Sequence, residues 1–242
     1  MSSPHMSQRR ARLAGALLIA GAIVFWSGSF MPSSVVYMTP GLLEKIELIA
    51  SHRTSWMLQH TLFLGGVIVT AMGLVVLATI LRGTNARQFA TDGLIAIVLA
   101  TAVWAIATYF RVTVPAEEIV RTSDVPPLFL AALGGWMFVA FTVLTLGAFT
   151  VIGVALSQSG LLKRLGRIAA IVSGLMLLAS IVLTFVWAVA SDFRLSVPAG
   201  GWAPEVQYLV TSLIGIGLLR RQQAEPQPVG AAQGGHSTAL QS

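Results

Sequence analysis

The chain contains 242 residues, of which 55% are hydrophobic and only 10% are charged, and its formal net charge is +6. Because soluble domains carry about 25% charged residues, this composition excludes an ordinary soluble globule and indicates an integral membrane protein. The chain has no cysteine, which excludes disulfide bonds, thiolate nucleophiles and thiolate metal sites.

Six apolar segments follow one another along the chain, and a helix that spans a bilayer needs roughly 20 residues. They cover residues 12–28, 57–81, 93–110, 128–156, 168–190 and 206–219. The pattern predicts an all-α integral membrane bundle of six transmembrane helices over residues 9–221. The polar segments 1–8 and 222–242 flank this domain and are predicted to be disordered, because they contain too few apolar residues to bury a core.

The first apolar segment has two interpretations. Arg9, Arg10 and Arg12, followed by a short apolar run, resemble the start of a signal peptide, whose removal would leave five helices. The run from Leu13 to Trp26 is long for the core of a signal peptide, and no clear cleavage site follows it. We therefore expect this segment to remain as the first membrane helix.

Basic residues concentrate on one side of the predicted bundle. The side that holds the amino terminus carries ten basic and two acidic residues, whereas the other side carries five basic and seven acidic residues. The ten basic residues are Arg9, Arg10, Arg12, Arg82, Arg87, Lys163, Arg164, Arg167, Arg220 and Arg221. Because cytoplasmic loops are rich in lysine and arginine, this bias predicts a bacterial cytoplasmic membrane protein with both termini in the cytoplasm. It also explains the positive charge without a nucleic-acid partner.

One phrase occurs twice in the chain. Residues 103–116 read VWAIATYFRVTVPA and residues 186–199 read VWAVASDFRLSVPA, with nine identical positions. Each copy closes a helix that runs from the cytoplasmic to the outer side, so the sequence predicts a parallel repeat of a helical hairpin.

The loop before the second span has amphipathic character. In the stretch PGLLEKIELIASHRTS (40–55), Leu42, Ile46 and Ile49 share one helical face, and Pro40 suits a first turn. The pattern predicts a short helix that lies on the outer surface of the bilayer or caps the bundle.

The same region carries a resemblance to a known group of proteins. The run VVYMTPGLLEKIELIASHRTSWMLQHTLFLGG (35–66) combines an extended entry, a Pro-Gly turn, a short helix and a long apolar segment that ends at an arginine. Over residues 35–82 the chain resembles an uncharacterised family of six-helix bacterial membrane proteins, known as a domain of unknown function. The resemblance implies an architecture and no activity.

His60 is the only histidine inside a predicted span, and ionisable residues within a membrane are functional candidates. Trp56 lies one turn before it on the same helical face. The structural alternative is a neutral imidazole that hydrogen-bonds a neighbouring helix. No second histidine within a span offers an axial ligand for haem, and the sequence therefore predicts no cofactor and no metal site.

Arg111 and Arg194 occupy equivalent positions in the two copies of the repeat. Snorkelling towards lipid headgroups explains an arginine at a helix end, and Trp104 and Tyr109 would then be interfacial anchors. The functional interpretation pairs both arginines in an outer vestibule, where their planar guanidinium groups attract an anion or a carboxylate.

Glu205 precedes the last apolar segment, which is only about 21 Å long as a helix and shorter than a hydrocarbon core of roughly 30 Å. Crossing the bilayer would draw Gln207, Tyr208 and Glu205 towards the outer leaflet. Short segments of this kind mark binding sites in transporters. The structural alternative places Glu205 in the first helical turn, where it complements the helix dipole.

Gly166, Ala170 and Gly174 form a stripe of small residues on the fifth predicted helix. Such stripes allow two helices to approach closely. The sequence leaves two partners open, which are another helix of the same chain and a second copy in a homo-oligomer.

The sequence carries no nucleotide-binding, zinc-protease, hydrolase or kinase signature. We therefore expect a non-enzymatic membrane protein without catalytic residues, which binds or passes a small amphipathic or anionic solute in an outward-facing pocket. The candidate ligand-binding residues are Arg111, Arg194, Glu205, His60 and Trp56. The alternatives are a membrane enzyme or redox subunit that uses His60, and an accessory or assembly subunit.

Overall fold

The structure, a computed structural model, describes residues 4–39, 42–113, 127–190 and 203–223. The helices are α1 (Pro4–Ser29), α2 (Val35–Met38), α3 (Leu42–Ser51), α4 (Arg53–Leu81), α5 (Arg87–Thr113), α6 (Pro127–Gln158), α7 (Lys163–Ala190) and α8 (Ala203–Gln223). A 3-10 turn at Pro32–Ser34 precedes α2. The predicted all-α class is confirmed, since the described part of the chain contains no strand.

Within the described part of the chain, five helices are long and apolar enough to cross a membrane. Their spanning portions are Gln8–Ser29, Arg53–Leu81, Arg87–Tyr109, Trp136–Gln158 and Lys163–Val186. The last predicted span forms helix α8, but α8 does not belong to this group. Its apolar centre is bordered by Glu205 and Gln207 on one side and by Arg220 and Arg221 on the other, which lowers its hydropathy.

The helices extend beyond the apolar segments from which they were predicted. α4 begins at Arg53 and α5 at Arg87, each at least one turn before its predicted span. α1 begins at Pro4, so part of the segment 1–8, which was predicted to be disordered, is helical. The reason is that hydropathy marks the length matching the hydrocarbon core, whereas helical hydrogen bonds continue into polar residues. The predicted disorder of the tail from residue 224 lies outside the described residues.

The predicted amphipathic helix between the first two spans is confirmed as α3. The charged side chains of Glu44 and Glu47 are exposed, whereas Leu48 and Ile49 are partly buried. The helix therefore has one exposed polar face and one apolar face that the rest of the chain partly covers.

Neighbouring long helices pack into a ring. α1 packs between α4 and α8, α4 packs on α5, and α5 packs on α6. A smaller contact between α6 and α8 completes the ring, while α7 packs chiefly along α6 and stays largely exposed. One end of the bundle carries α2 and α3 and is called the α3 end. The opposite end carries the turns at 82–86 and 159–162 and is called the turn end.

Glycines allow α1 to approach both of its neighbours closely. A Cβ atom at Gly21 would lie 2.8 Å from the backbone nitrogen of Thr70 and 2.9 Å from the carbonyl oxygen of Gly66 on α4. A Cβ atom at Gly15 would lie 2.8 Å from the carbonyl oxygen of Gly215 on α8. Small residues therefore bring three backbones together and fix the position of α1 at the centre of the contact.

The predicted stripe of Gly166, Ala170 and Gly174 packs on α6 of the same chain. A Cβ atom at Gly166 would lie 2.6 Å from the backbone nitrogen of Ser157, and one at Gly153 would lie 2.5 Å from that of Ala170. The interpretation as a helix-packing stripe is confirmed. The face that the sequence also offered to a homo-oligomer is covered within the chain.

The two halves of the interior differ in chemistry. Apart from Phe149, the large side chains that are fully buried in the turn-end half are aliphatic. They include Leu18, Leu74, Leu77, Leu81, Leu156, Ile214 and Leu218. The α3-end half instead buries aromatic and polar side chains. These include Phe25, Trp56, Gln59, His60, Phe63, Trp104, Gln207 and Tyr208.

Candidate functional site

Two helical faces meet in the α3-end half of the bundle. On α4, Trp56, His60 and Phe63 follow one another at helical spacing, and on α5 Trp104 and Arg111 are two turns apart. The faces touch where the Phe63 and Trp104 rings lie 6.5 Å apart, measured between centroids. We call Trp56, His60, Trp104 and Arg111 the His60 cluster.

His60 is fully buried, and both of its ring nitrogens have partners. Nδ1 lies 2.9 Å from the carbonyl oxygen of Trp56, one turn earlier on α4. Nε2 lies 3.3 Å from Nη1 of Arg111 on α5. Because a carbonyl oxygen only accepts and a guanidinium group only donates, Nδ1 carries the proton and Nε2 accepts. His60 is therefore a neutral imidazole whose lone pair faces Arg111.

Arg111 is held by three uncharged partners. Nη1 donates to His60 Nε2, and the guanidinium carbon lies 5.5 Å from the centre of the Trp104 ring. The backbone carbonyl of Arg111 accepts a hydrogen bond of 3.2 Å from Nε1 of Trp56. Because His60 is fully buried, its contact draws the guanidinium into the bundle. The Arg111 side chain as a whole is partly buried, and the snorkelling interpretation stays a prediction.

The two aromatic residues that bracket Arg111 have different surroundings. Tyr109 is 63% exposed, which agrees with its prediction as an interfacial anchor. Trp104 is only 3% exposed, so its prediction as an anchor was wrong. Its ring packs on Phe141, with 4.5 Å between centroids. A tryptophan near a helix end usually anchors at the interface, and only the packing of α5 on α6 shows that this one is internal.

Five aromatic rings cross the interior beneath the His60 cluster, and we call them the aromatic tier. They are Tyr208, Phe25, Phe63, Trp104 and Phe141, from α8, α1, α4, α5 and α6. Successive centroids are 3.9, 4.7, 6.5 and 4.5 Å apart. These distances are typical of favourable aromatic pairs, so the tier connects all five helices of the ring at one level.

Several buried polar atoms around the tier have no hydrogen-bond partner among the described residues. Four of them are N–H donors, namely Trp26 Nε1, Gln59 Nε2, Trp104 Nε1 and Gln207 Nε2. Leaving such a group unsatisfied costs about 1–3 kcal/mol, so native proteins usually supply a water molecule or another partner. A bound molecule with hydrogen-bond acceptors could therefore satisfy these N–H donors.

Gln59 belongs to a small polar network at the α3 end. Its Oε1 accepts a hydrogen bond of 2.6 Å from Ser33 Oγ, and Ser33 Oγ in turn accepts one of 3.1 Å from Ser55. The network orients the Gln59 amide, because Oε1 is committed to Ser33. Nε2 is then the end of the amide that remains for a ligand.

Four buried threonines, Thr70 among them, depart from the usual behaviour of threonine in these helices. The hydroxyl of a helical threonine commonly donates to the carbonyl one turn earlier. Thr61, Thr101, Thr150 and Thr184 do so. Thr70, Thr108, Thr142 and Thr145 do not, and their buried hydroxyls have no partner among the described residues. These hydroxyls are further groups that could hydrogen-bond a ligand in the middle and the α3-end half of the interior.

Glu205 and Gln207 lie on α8, which α1 separates from α4. Gln207 Oε1 accepts a hydrogen bond of 2.9 Å from Ser173 Oγ on α7. Glu205 Oε2 is buried without a partner in the described part of the chain. Since Glu205 precedes Tyr208 by one turn, it lies in the same half of the bundle as the aromatic tier. No contact joins it to the His60 cluster among the described residues.

The structure thus brings together Trp56, His60 and Arg111 from the predicted ligand-binding set. Arg194 lies outside the described residues, and so does most of the second copy of the repeat, residues 186–199. The pairing of the two arginines and the hairpin repeat stay predictions.

Sequence reasoning missed Gln59 as a functional candidate. An amide within an apolar span is unusual, so the residue carried the same signal as His60. The described residues contain no group of three His, Asp or Glu side chains that could hold a metal ion. A metal or haem iron at His60 Nε2 would have to displace Arg111.

No protein-family model, no curated protein and no solved structure matches the chain. The resemblance of residues 35–82 to a six-helix family stays a prediction, and function has to be argued from the geometry of the site.

Proposed function

We propose that the chain is a six-span protein of a bacterial cytoplasmic membrane that binds a small amphipathic or anionic solute at its α3 end. In this proposal α8 is the sixth span, both termini are cytoplasmic, and the α3 end faces outward. The five apolar helices and the packing of α8 against α1 support the architecture. The exposed Arg82, Arg87, Arg164 and Arg167 at the turn end support the orientation.

The observation that carries the proposal is the environment of Arg111. Its guanidinium group is drawn towards the fully buried His60, and its contacts among the described residues are all uncharged. A charge in an apolar environment is costly unless an opposite charge accompanies it. An anionic ligand would supply that charge, and the aromatic tier would accommodate its apolar part.

The two halves of the interior favour binding over passage through the membrane. The α3-end half offers N–H donors and hydroxyls without partners among the described residues, whereas the turn-end half is filled by leucine and isoleucine side chains and Phe149. A solute that enters from the α3 end would meet a closed apolar core. We therefore propose that it leaves on the side from which it entered.

The redox alternative is less well supported by the same geometry. An axial ligand to haem uses the lone pair of an imidazole nitrogen. In His60 that lone pair is on Nε2 and faces Arg111, while Nδ1 is bonded to its own helix.

Thermal unfolding of the purified protein in detergent tests the proposal. Benzoate, 2-naphthoate, dodecanoate, phosphate and sulfate form the panel, and we expect at least one anion to raise Tm. A ligand at 100 times its Kd adds about 2.7 kcal/mol to the free energy of unfolding. The Arg111→Gln variant should lose the shift, whereas Arg164→Gln, which changes an exposed arginine at the turn end, should keep it. A panel without any shift, or a shift that persists in Arg111→Gln, would contradict the proposal.

A further inference from the structure

We infer that the ligand of the His60 cluster carries a single carboxylate on an apolar body. This inference rests on the proposed function and narrows the chemistry of the ligand at the same site. It follows from three features of the cluster, which are the free edge of Arg111, the charge balance and the chemistry of the surrounding polar atoms.

The first feature is the edge of Arg111 that its neighbours leave open. Nη1 donates to His60 Nε2, and the guanidinium carbon lies over the Trp104 ring, 5.5 Å from its centre. The edge formed by Nε and Nη2 has no hydrogen bond to any described residue. Its two parallel N–H groups match the two oxygens of a carboxylate in a bidentate pair.

The second feature is the charge balance. His60 is neutral because its proton is on Nδ1, so the His60 cluster carries one positive charge, that of Arg111. A monoanion would bring the site to neutrality. A dianion such as a phosphate monoester would leave a buried negative charge without a partner, which is strongly unfavourable in an apolar surrounding.

The third feature is the chemistry of two buried nitrogen atoms that have no hydrogen-bond partner among the described residues. Gln59 Nε2 and Trp104 Nε1 are donors, and each is at least nine-tenths buried. Their neighbours in the aromatic tier offer apolar ring surface. A ligand whose polar atoms are all acceptors, attached to an apolar body, satisfies both requirements. A carboxylate is such a group, whereas an amine or an alcohol is not.

A matched series of ligands tests this inference, with 2-naphthoate, 2-naphthamide and 2-naphthylphosphonate sharing one ring system. At a pH well above the second ionisation of the phosphonate, we expect the wild-type protein in nanodiscs to bind the carboxylate at least about tenfold more tightly than the amide or the phosphonate, because only the carboxylate is then a monoanion that can pair with Arg111. Calorimetric titration gives the three Kd values. Dodecanoate is the second carboxylate of the test. It represents a ligand that reaches the site from the bilayer, whereas 2-naphthoate represents a ligand that reaches it from water.

The outcomes separate the inference from the proposed function. Binding of either carboxylate with this preference supports the inference, and the tighter of the two identifies the source. Equal or tighter binding of the phosphonate overturns the carboxylate while the anion site stands. Failure of all compounds and of the inorganic anions contradicts the anion site itself.

A conservative variant tests the bidentate geometry. Arg111→Lys keeps the charge but replaces the planar edge by a point charge, so we expect the Kd of the carboxylate to rise about tenfold. Circular dichroism and Tm without ligand show whether the variant folds, and Trp104→Phe, which removes one donor, provides a second variant if it does not. An unchanged Kd in a folded Arg111→Lys protein would overturn the bidentate pairing.

Discussion

The pair of His60 and Arg111 shows how a charged side chain is kept within an apolar bundle. The backbone carbonyl of Trp56 holds the proton of His60 on Nδ1, and the opposite nitrogen then serves as an acceptor for the guanidinium group. Trp56 also bonds the backbone of Arg111, so α4 holds both the side chain and the main chain of this residue. Both ring nitrogens of His60 are thus engaged, and the contact at Nε2 orients the side chain of Arg111.

A double-mutant cycle tests the contact between these two residues. His60→Leu and Arg111→Gln each remove one partner, and the combined variant removes both. Hydrogen bonds between membrane helices contribute roughly 0.5–1.5 kcal/mol, so we expect a coupling energy in this range. Unfolding of the four proteins in mixed micelles measures it, and a coupling energy of zero would contradict the contact.

The two tryptophans of the cluster provide a matched pair of substitutions. Trp56→Phe removes the hydrogen bond to the Arg111 carbonyl and should lower the free energy of unfolding by about 1 kcal/mol. Trp104→Phe removes a donor without a partner and keeps an aromatic ring against Phe141. The smaller ring leaves a cavity at this buried position, so the free energy of unfolding should fall by about 1 kcal/mol, while carboxylate binding weakens. If Trp104→Phe binds as the wild type does, its Nε1 is not a ligand donor.

At the scale of elements, small residues decide which helices touch. α1 approaches α4 at Gly21 and α8 at Gly15, and α7 approaches α6 at Gly166. Because lipid tails are as apolar as leucine, close backbone packing replaces the hydrophobic effect as the force between membrane helices. The crossing of α1 with α4 at Gly21 fixes the rotation of α4 about its axis, and therefore the direction in which His60 faces.

Two glycines of α6 test the importance of these crossings. A Cβ atom at Gly153 would lie 2.7 Å from the carbonyl oxygen of Gly166, whereas one at Gly147 would meet nothing within 4 Å. We expect Gly153→Ala to separate α6 from α7 and lower the unfolding free energy by about 1–3 kcal/mol. Gly147→Ala should be neutral or stabilising by up to about 1 kcal/mol, because alanine is the better helix former. Equal effects in unfolding titrations would show that the α6–α7 crossing is not tight.

At the scale of the whole molecule, the bundle is polar at one end of its interior and sealed at the other. Arg221 strengthens the sealed end, since its guanidinium group donates to the carbonyl oxygens of Gly160 and Leu161 in the turn between α6 and α7. The basic residues surround this same end. The interior chemistry and the surface charge are thus consistent with one orientation, in which the closed end faces the cytoplasm.

Labelling of intact cells tests that orientation, and the absence of native cysteine makes single-cysteine variants simple to interpret. Glu47→Cys places a thiol on an exposed position of α3, and Asn85→Cys places one on an exposed position of the turn after α4. A maleimide that does not cross membranes should label the first variant and not the second, until the cells are opened. The reverse pattern would place the α3 end, and with it the proposed binding site, on the cytoplasmic side.

Much of the architecture could be predicted from the sequence because hydropathy and charge are properties of successive residues. All six predicted helical segments are helical in the structure, and the short helix α3 was also predicted from its pattern. The ends of the helices were placed less well, since backbone hydrogen bonding continues past the apolar segment.

The candidate site was predictable as a set of unusual residues and not as an arrangement. His60 and Arg111 attracted attention because ionisable groups are rare within apolar segments, but they are far apart in the chain. Trp104 was assigned to the interface because its sequence position suits an anchor, and no local pattern shows which side of a helix faces its neighbours.

The sequence by itself determined the helical class, the amphipathic α3 and the concentration of basic residues at one end, because each depends on residues that are close in the chain. Only the tertiary structure decided that Arg111 meets a neutral His60, that Gly166 packs within the chain, and that Trp104 is internal. These outcomes depend on the rotation and register of helices against one another, which are set by contacts between segments that the chain keeps apart.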